Sequence, residues 1–136
     1  MKLLFSLLLI TCFSIEANCQ SIRTSECILL QKSLENDAFN KSFLIDKFTG
    51  QTLIVIDTSN SFRNCILQEV NGRKVEIRHE LSVKKEKHEI IIDYVKKEKK
   101  ITTIAFFHSL SNVYLVLELK KKGRKIRVKV KSGGVF

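Results

Sequence analysis

Three histidines and four cysteines are the side chains of this 136-residue chain whose chemistry could go furthest beyond packing. His79, His88 and His108 stand at no spacing from one another, or from a cysteine, that suits a shared zinc ion, whose ligands usually come in pairs a few residues apart. Cys65 and His79 would make a nucleophile and its base if folding brought them together. Against that, Cys27 and Cys65 are the two cysteines left once an N-terminal leader is removed, and an even pair in an exported chain predicts a disulfide. The alternative is two buried thiols packed as small apolar groups. A bridged sulfur attacks nothing, so the histidines read as solvated or core-edge side chains. No catalytic residue, metal ligand or cofactor motif is assigned.

One acid has a suggestive setting. Leu53-Ile54-Val55-Ile56-Asp57-Thr58-Ser59 runs an apolar strand into a carboxylate and two hydroxyls. The segment resembles the active-site loop of the aspartic proteases, where such a strand meets Asp-Thr-Gly or Asp-Ser-Gly; Ser59 stands here in place of that glycine. The resemblance implies a peptidase in which two copies of the chain bring their Asp57 carboxylates together to share a proton. The plainer expectation is a strand end followed by an Asx or Ser turn capped by Asp57 and Asn60. A hydrolase of unknown type, using Asp57 and His79, is the enzyme alternative to a non-catalytic protein.

The cations are more regularly arranged than the acids. There are 24 Lys and Arg against 14 Asp and Glu, a net charge of +10. Strand alternation over residues 124–131 sends Lys125, Arg127, Lys129 and Lys131 to one face and Ile126, Val128 and Val130 to a buried one. The basic row is about 20 Å long at about 6.6 Å per same-face step. Lys120, Lys121, Lys122 and Arg124 extend it at the turn. Such a row attracts an acidic protein, an anionic glycan or lipid headgroups, although lysines also protect an edge strand and solubilise it. Nucleic acid is not expected, because no aromatics interleave with these cations for bases to stack on. Tyr94, Phe106, Phe107 and Tyr114 lie in other strands, and the adjacent pair Phe106 and Phe107 must face opposite ways. A small apolar ligand in the concave side of a curved sheet is the alternative binding role. Gly133-Gly134-Val135-Phe136 reads as a tail that docks or frays, with capture of its carboxylate by a partner as the other possibility.

These groups need a frame. Residues 25–39 read as a helix with Ser25 as N-cap and Cys27, Leu30, Leu34 and Ala38 at helical spacing. Strands are expected over 52–57, 64–70, 73–79, 88–95, 100–108, 112–120 and 124–131. Asn71-Gly72 predicts a type I′ hairpin pairing Ile66 with Ile77, Gln68 with Val75 and Glu69 with Lys74. A helix over 59–70 stopped by Gly72 competes with it. In the last strands Val113, Leu115, Leu117 and Leu119 share a face, as Ile126, Val128 and Val130 do, so both face one core. The expected fold is α+β, an N-terminal helix packed on a curved antiparallel sheet of six or seven strands. A mostly β, lipocalin-like barrel is the alternative. Residues 88–131 resemble the closing meander of NTF2-like or cystatin-like small exported domains, which implies a helix set against a curved sheet.

The chain opens like a secretory leader. Lys2 precedes an apolar run from Leu3 to Phe13, and a short polar stretch with small residues follows, so residues 1–19 are expected to be removed and 20–136 to fold as one secreted or periplasmic domain. Cleavage after Ala17, leaving Asn18 first, is the alternative, and so is lipidation at Cys12 or Cys19. The apolar run is too short for a transmembrane anchor. Oligomeric state is not legible.

Overall fold

The computed structural model describes residues 25–85 and 88–136. The expected leader, with its cleavage points and Cys12 and Cys19, lies outside the described residues.

The helical segment is divided. Helix α1 spans Ser25–Leu34 and α2 spans Asp37–Phe43, followed by a 3-10 turn over Ile45–Phe48. The single helix expected over 25–39 breaks because Asn36 caps a new one. Its backbone is extended, at φ −71° and ψ 138°, and its side-chain oxygen accepts from the Ala38 N–H at 2.9 Å. The apolar stripe survives the break: Cys27, Leu30 and Leu34 are buried on α1, and Phe39 and Phe43 continue the buried surface from α2.

The described residues form six strands, β1 Leu53–Ile56, β2 Val75–Arg78, β3 Glu89–Glu98, β4 Ile101–His108, β5 Val113–Lys122 and β6 Lys125–Val135. They make one open sheet in the order β2-β1-β3-β4-β5-β6, not a closed barrel. The α+β expectation is met, but the sheet is mixed instead of wholly antiparallel. β1 runs parallel to both β2 and β3, while β3 to β6 form the antiparallel meander. All four side chains of β1 are buried, the signature of a strand covered on both faces. β2 and β3 flank β1 on opposite sides and run the same way as it does. Ile54 and Ile56, on the face opposite Leu53 and Val55, are buried as well.

The strand expected over 64–70 does not form. Its turn does: Asn71 and Gly72 have φ of 48° and 74°, and Val70 and Arg73 exchange both backbone hydrogen bonds. The ladder stops at that bridge because Val75 and Ile77 pair instead with Leu53 and Val55 of β1. Burial decides the competition, since β1 offers an apolar partner inside the core while 64–70 would be a solvent-side hairpin arm; Ile66, the expected partner of Ile77, is almost fully exposed. The competing helix over 59–70 is absent as well. Gln31 of α1 supplies part of the missing pairing, accepting from the Gln68 N–H at 2.8 Å and donating to the Gln68 carbonyl at 3.4 Å.

The core lies between the helices and one sheet face. Leu53, Val55, Ile90, Ile104, Phe106 and Leu117 meet Leu30, Leu34, Phe39 and Ile45, with Phe62 and Val70 contributed by the connection between β1 and β2. Phe39 meets Phe106 edge to face at 5.0 Å. This helical cover fades toward the open edge. Ile126 and Val128 of β6 are only half-buried, and Val130, expected to be buried, is 45% exposed.

Candidate functional site

Strand pairing determines where each cation goes. In the β5–β6 hairpin Lys120 lies opposite Arg127, Lys122 opposite Lys125 and Glu118 opposite Lys129, all on the face away from the helices. Lys121 lies opposite Ile126 and Leu119 opposite Val128, on the helix side. The expected row is therefore present in Lys125, Arg127 and Lys129, but its expected extension divides. Lys120 and Lys122 join it, whereas Lys121 turns to the other face. Alternation through the turn carries that signal, which is lost when residues 120–124 are read as one cluster.

Lys131 reaches the same outer face by a different route. The β5–β6 register shifts between Val116, paired with Ser132, and Leu117, paired with Val130, so Lys131 is the extra residue of a bulge. The Glu98 carboxyl is held below the usual carboxylate range, first by a hydrogen bond and ion pair with Lys96 at 2.8 Å and more weakly by the charge of Lys131. The same contact raises Lys96 above its ordinary value. Lys120, Lys122, Lys125, Arg127 and Lys129 are all exposed, and among the described residues none of them forms an ion pair. They stand on the last two strands of the sheet, with β6 at its open edge.

Asp57 and His79 are brought together where β1 and β2 end. His79 Nδ1 donates to the Asp57 carbonyl at 3.0 Å and lies 3.8 Å from its Oδ2. The carboxylate is fully buried and already engaged: Ser59 Oγ donates to Oδ1 at 2.9 Å and the Phe62 N–H to Oδ2 at 2.8 Å. This is the Asx-type turn expected of a strand end, with Asn60 at φ 55° inside it. With no exposed surface, the carboxylate has no way to meet the Asp57 of a second copy, so the protease resemblance has no geometric support.

The remaining candidates are dispersed. Cys27 and Cys65 are bridged, with Cα atoms 5.4 Å apart, which removes Cys65 as a nucleophile for His79. His108 contacts the Ser111 hydroxyl through Nδ1. His88 lies at the other end of the parallel strands, edge-on to Phe48 at 5.0 Å, and its Nδ1 accepts from Arg73 Nη2 at 3.3 Å. Among the described residues no group of three or more His, Cys, Asp or Glu is placed to hold a metal ion.

Arg73 is a residue that sequence reasoning passed over. It is 1% exposed; its guanidinium donates to the carbonyls of Gln51 at 2.8 Å and Thr52 at 3.4 Å and stands 6.0 Å over the Phe48 ring. Burial pushes its pKa below the ordinary value. It joins the starts of β1 and β2 and is a structural cation. Phe106 and Phe107 face opposite ways, one buried in the core and the other half-buried outside. The C-terminal tail docks: Phe136 donates its N–H to Asn112 O at 3.0 Å and stacks on Tyr114 at 4.6 Å. A Cβ on Gly134 would come within 3.3 Å of the Tyr114 ring, which accounts for glycine in that stretch of strand.

Comparison with known proteins finds no matching family model, no similar curated protein and no similar solved structure. Among the described residues no helix is long and apolar enough to cross a membrane.

Proposed function

We propose that the chain is an exported, non-catalytic binding protein that meets an acidic protein through the outer face of β5 and β6, with Lys125, Arg127, Lys129 and Lys131 as the central contacts. The observation that carries this reading is the row of exposed cations without ion pairs on that face, Lys120 and Lys122 beside it. Separated like charges at the surface repel one another, and a partner's carboxylates relieve that repulsion while steering the encounter. The disulfide fits an oxidising compartment, and residues 1–19 supply the export signal, leaving 20–136 as the mature domain. Likeness of residues 88–131 to NTF2-like or cystatin-like exported domains accompanies this proposal.

The test reverses three charges at once, Lys125→Glu, Arg127→Glu and Lys129→Glu, in the mature protein, with poly-L-glutamate as acidic probe and a sulfated glycan and anionic vesicles alongside. All three sites are exposed, so the fold should stay, at under about 0.5 kcal/mol each. Binding to the acidic polypeptide should weaken about tenfold or more at low ionic strength, and the difference should shrink as salt screens the charges. A folded variant that binds as tightly as before at low salt overturns the proposal. Tighter capture of the glycan or vesicles than of the polypeptide would reassign the partner class. Intact mass of the exported product, beginning at Gln20 or at Asn18, checks the leader.

A further inference from the structure

Lys121, turned away from the outer row, belongs to a separate feature on the helix side. The first turn of α1 stands off the adjoining ends of the meander strands and leaves a cleft of about 730 Å³, within the size range of small-molecule sites. Leu29 of α1, Leu119 of β5 and Ile126 of β6 give it an apolar floor. Lys97, Lys99, Lys100, Lys121 and Arg124 form its rim. Glu26 is the one carboxylate among its lining residues, and Lys97 already holds it at 2.7 Å.

We infer that this cleft binds a free single-chain amphiphile with an anionic head group, such as a fatty carboxylate, its chain on the apolar floor and its head among Lys121, Arg124 and the Lys99-Lys100 pair. Each half of the lining excludes a simpler occupant. A neutral apolar molecule would leave the rim cations without a counter-charge, and an inorganic anion would leave the half-buried Leu29 and Ile126 uncovered. Residues 20–24, which lead into Ser25 at the mouth of the cleft, carry Arg23 and no carboxylate, so they do not complement the rim. The site is independent of the outer basic face, because alternation places the two on opposite sides of β5 and β6.

Titration of the mature protein with dodecanoate below its micelle concentration, followed by displacement of anilinonaphthalene sulfonate fluorescence, tests the inference. One saturable site per chain is expected, and each methylene removed down to octanoate should weaken it about two- to fourfold, as partial to full chain burial requires. Dodecyltrimethylammonium, with the same chain and the opposite charge, should not compete. Lys121→Glu with Arg124→Glu should weaken dodecanoate about tenfold, and Ile126→Thr severalfold, each with an unchanged circular dichroism spectrum. Should the double reversal fail to fold, Lys121→Gln with Arg124→Gln removes the charges more gently and should show the same direction. The outer-face triple variant should bind dodecanoate like the wild type, which separates failure of this site from failure of the proposed function. Equal binding of the cationic amphiphile, indifference to chain length, folded rim variants with undiminished affinity, or no saturable binding, as when the chain itself fills the cleft, each overturns the inference. Stronger binding to anionic vesicles, lost in the rim variants, would move the ligand from a free monomer to a bilayer lipid and overturn it in that form.

Discussion

Opening the Cys27–Cys65 bridge should destabilise the domain by an amount that the closed loop sets. The cysteines are separated by 38 positions in sequence, and the chain-entropy relation for a loop of that length gives about 3.9 kcal/mol at 25 °C. For a domain of this size about 4 °C of melting temperature accompanies each kcal/mol, so the midpoint should fall by about 15 °C. The loss should start locally. The bridge pins the connection between β1 and β2 to α1, and the other ties of residues 63–69 are weaker: the Cys65 N–H donates to the Phe62 carbonyl at 3.3 Å, Gln31 holds Gln68, and Leu67 packs partly buried against the core. Guanidinium unfolding followed by circular dichroism, on oxidised protein, reduced protein and the Cys27→Ala, Cys65→Ala double variant, measures the cost. Amide exchange should show residues 63–69 opening first in the two unbridged forms. The denaturant slope should rise as well, because an uncrosslinked unfolded chain exposes more surface. A loss below about 1 kcal/mol would refute the loop-entropy argument, and two titratable thiols in denatured, unreduced protein would refute the bridge.

Two further perturbations read other parts of the frame. Asp57→Ala should cost about 2–3 kcal/mol, because it leaves the buried Phe62 N–H unsatisfied; Asp57→Asn should cost less, its amide oxygen keeping the Phe62 contact while its NH2 turns to Ser59. Urea midpoints check that order, and an Asn variant as damaged as the Ala variant would show that the charge matters beyond capping. Glu26 is held below its ordinary pKa chiefly by the hydrogen bond from Lys97, so its contribution to stability is present above the usual carboxylate range and lost as pH falls through the depressed folded value. Glu26→Gln should therefore be slightly less stable than the wild type at neutral pH and equal to it in acid, and a gap that does not change between pH 7 and pH 3 would contradict this reading.

Features that depend on near neighbours along the chain were legible from residue order. Period-two alternation located β3 to β6 and the faces of Lys125, Arg127 and Lys129, the tolerance of Asn71 and Gly72 for positive φ located a turn, and a pair of cysteines in a chain expected to be exported pointed to the bridge. Pairing between distant segments was not legible. Leu53-Ile54-Val55-Ile56 is apolar at every position, so it has no alternation to name a face or a partner, and Val75 and Ile77 fit either a hairpin with 64–70 or a parallel ladder with β1. Burial of the whole sheet chose the ladder, and that choice set much of the rest. It brought Asp57 to His79, put Arg73 under the starts of the strands, and left Ile66 in solvent. The cleft is of the same kind, since Leu29, Lys97, Leu119 and Arg124 are neighbours only because α1 crosses the meander near its end. A local pattern costs little chain entropy to satisfy and so leaves its mark in short windows of residues, whereas the partner of an all-apolar strand is settled by the area buried across the entire domain.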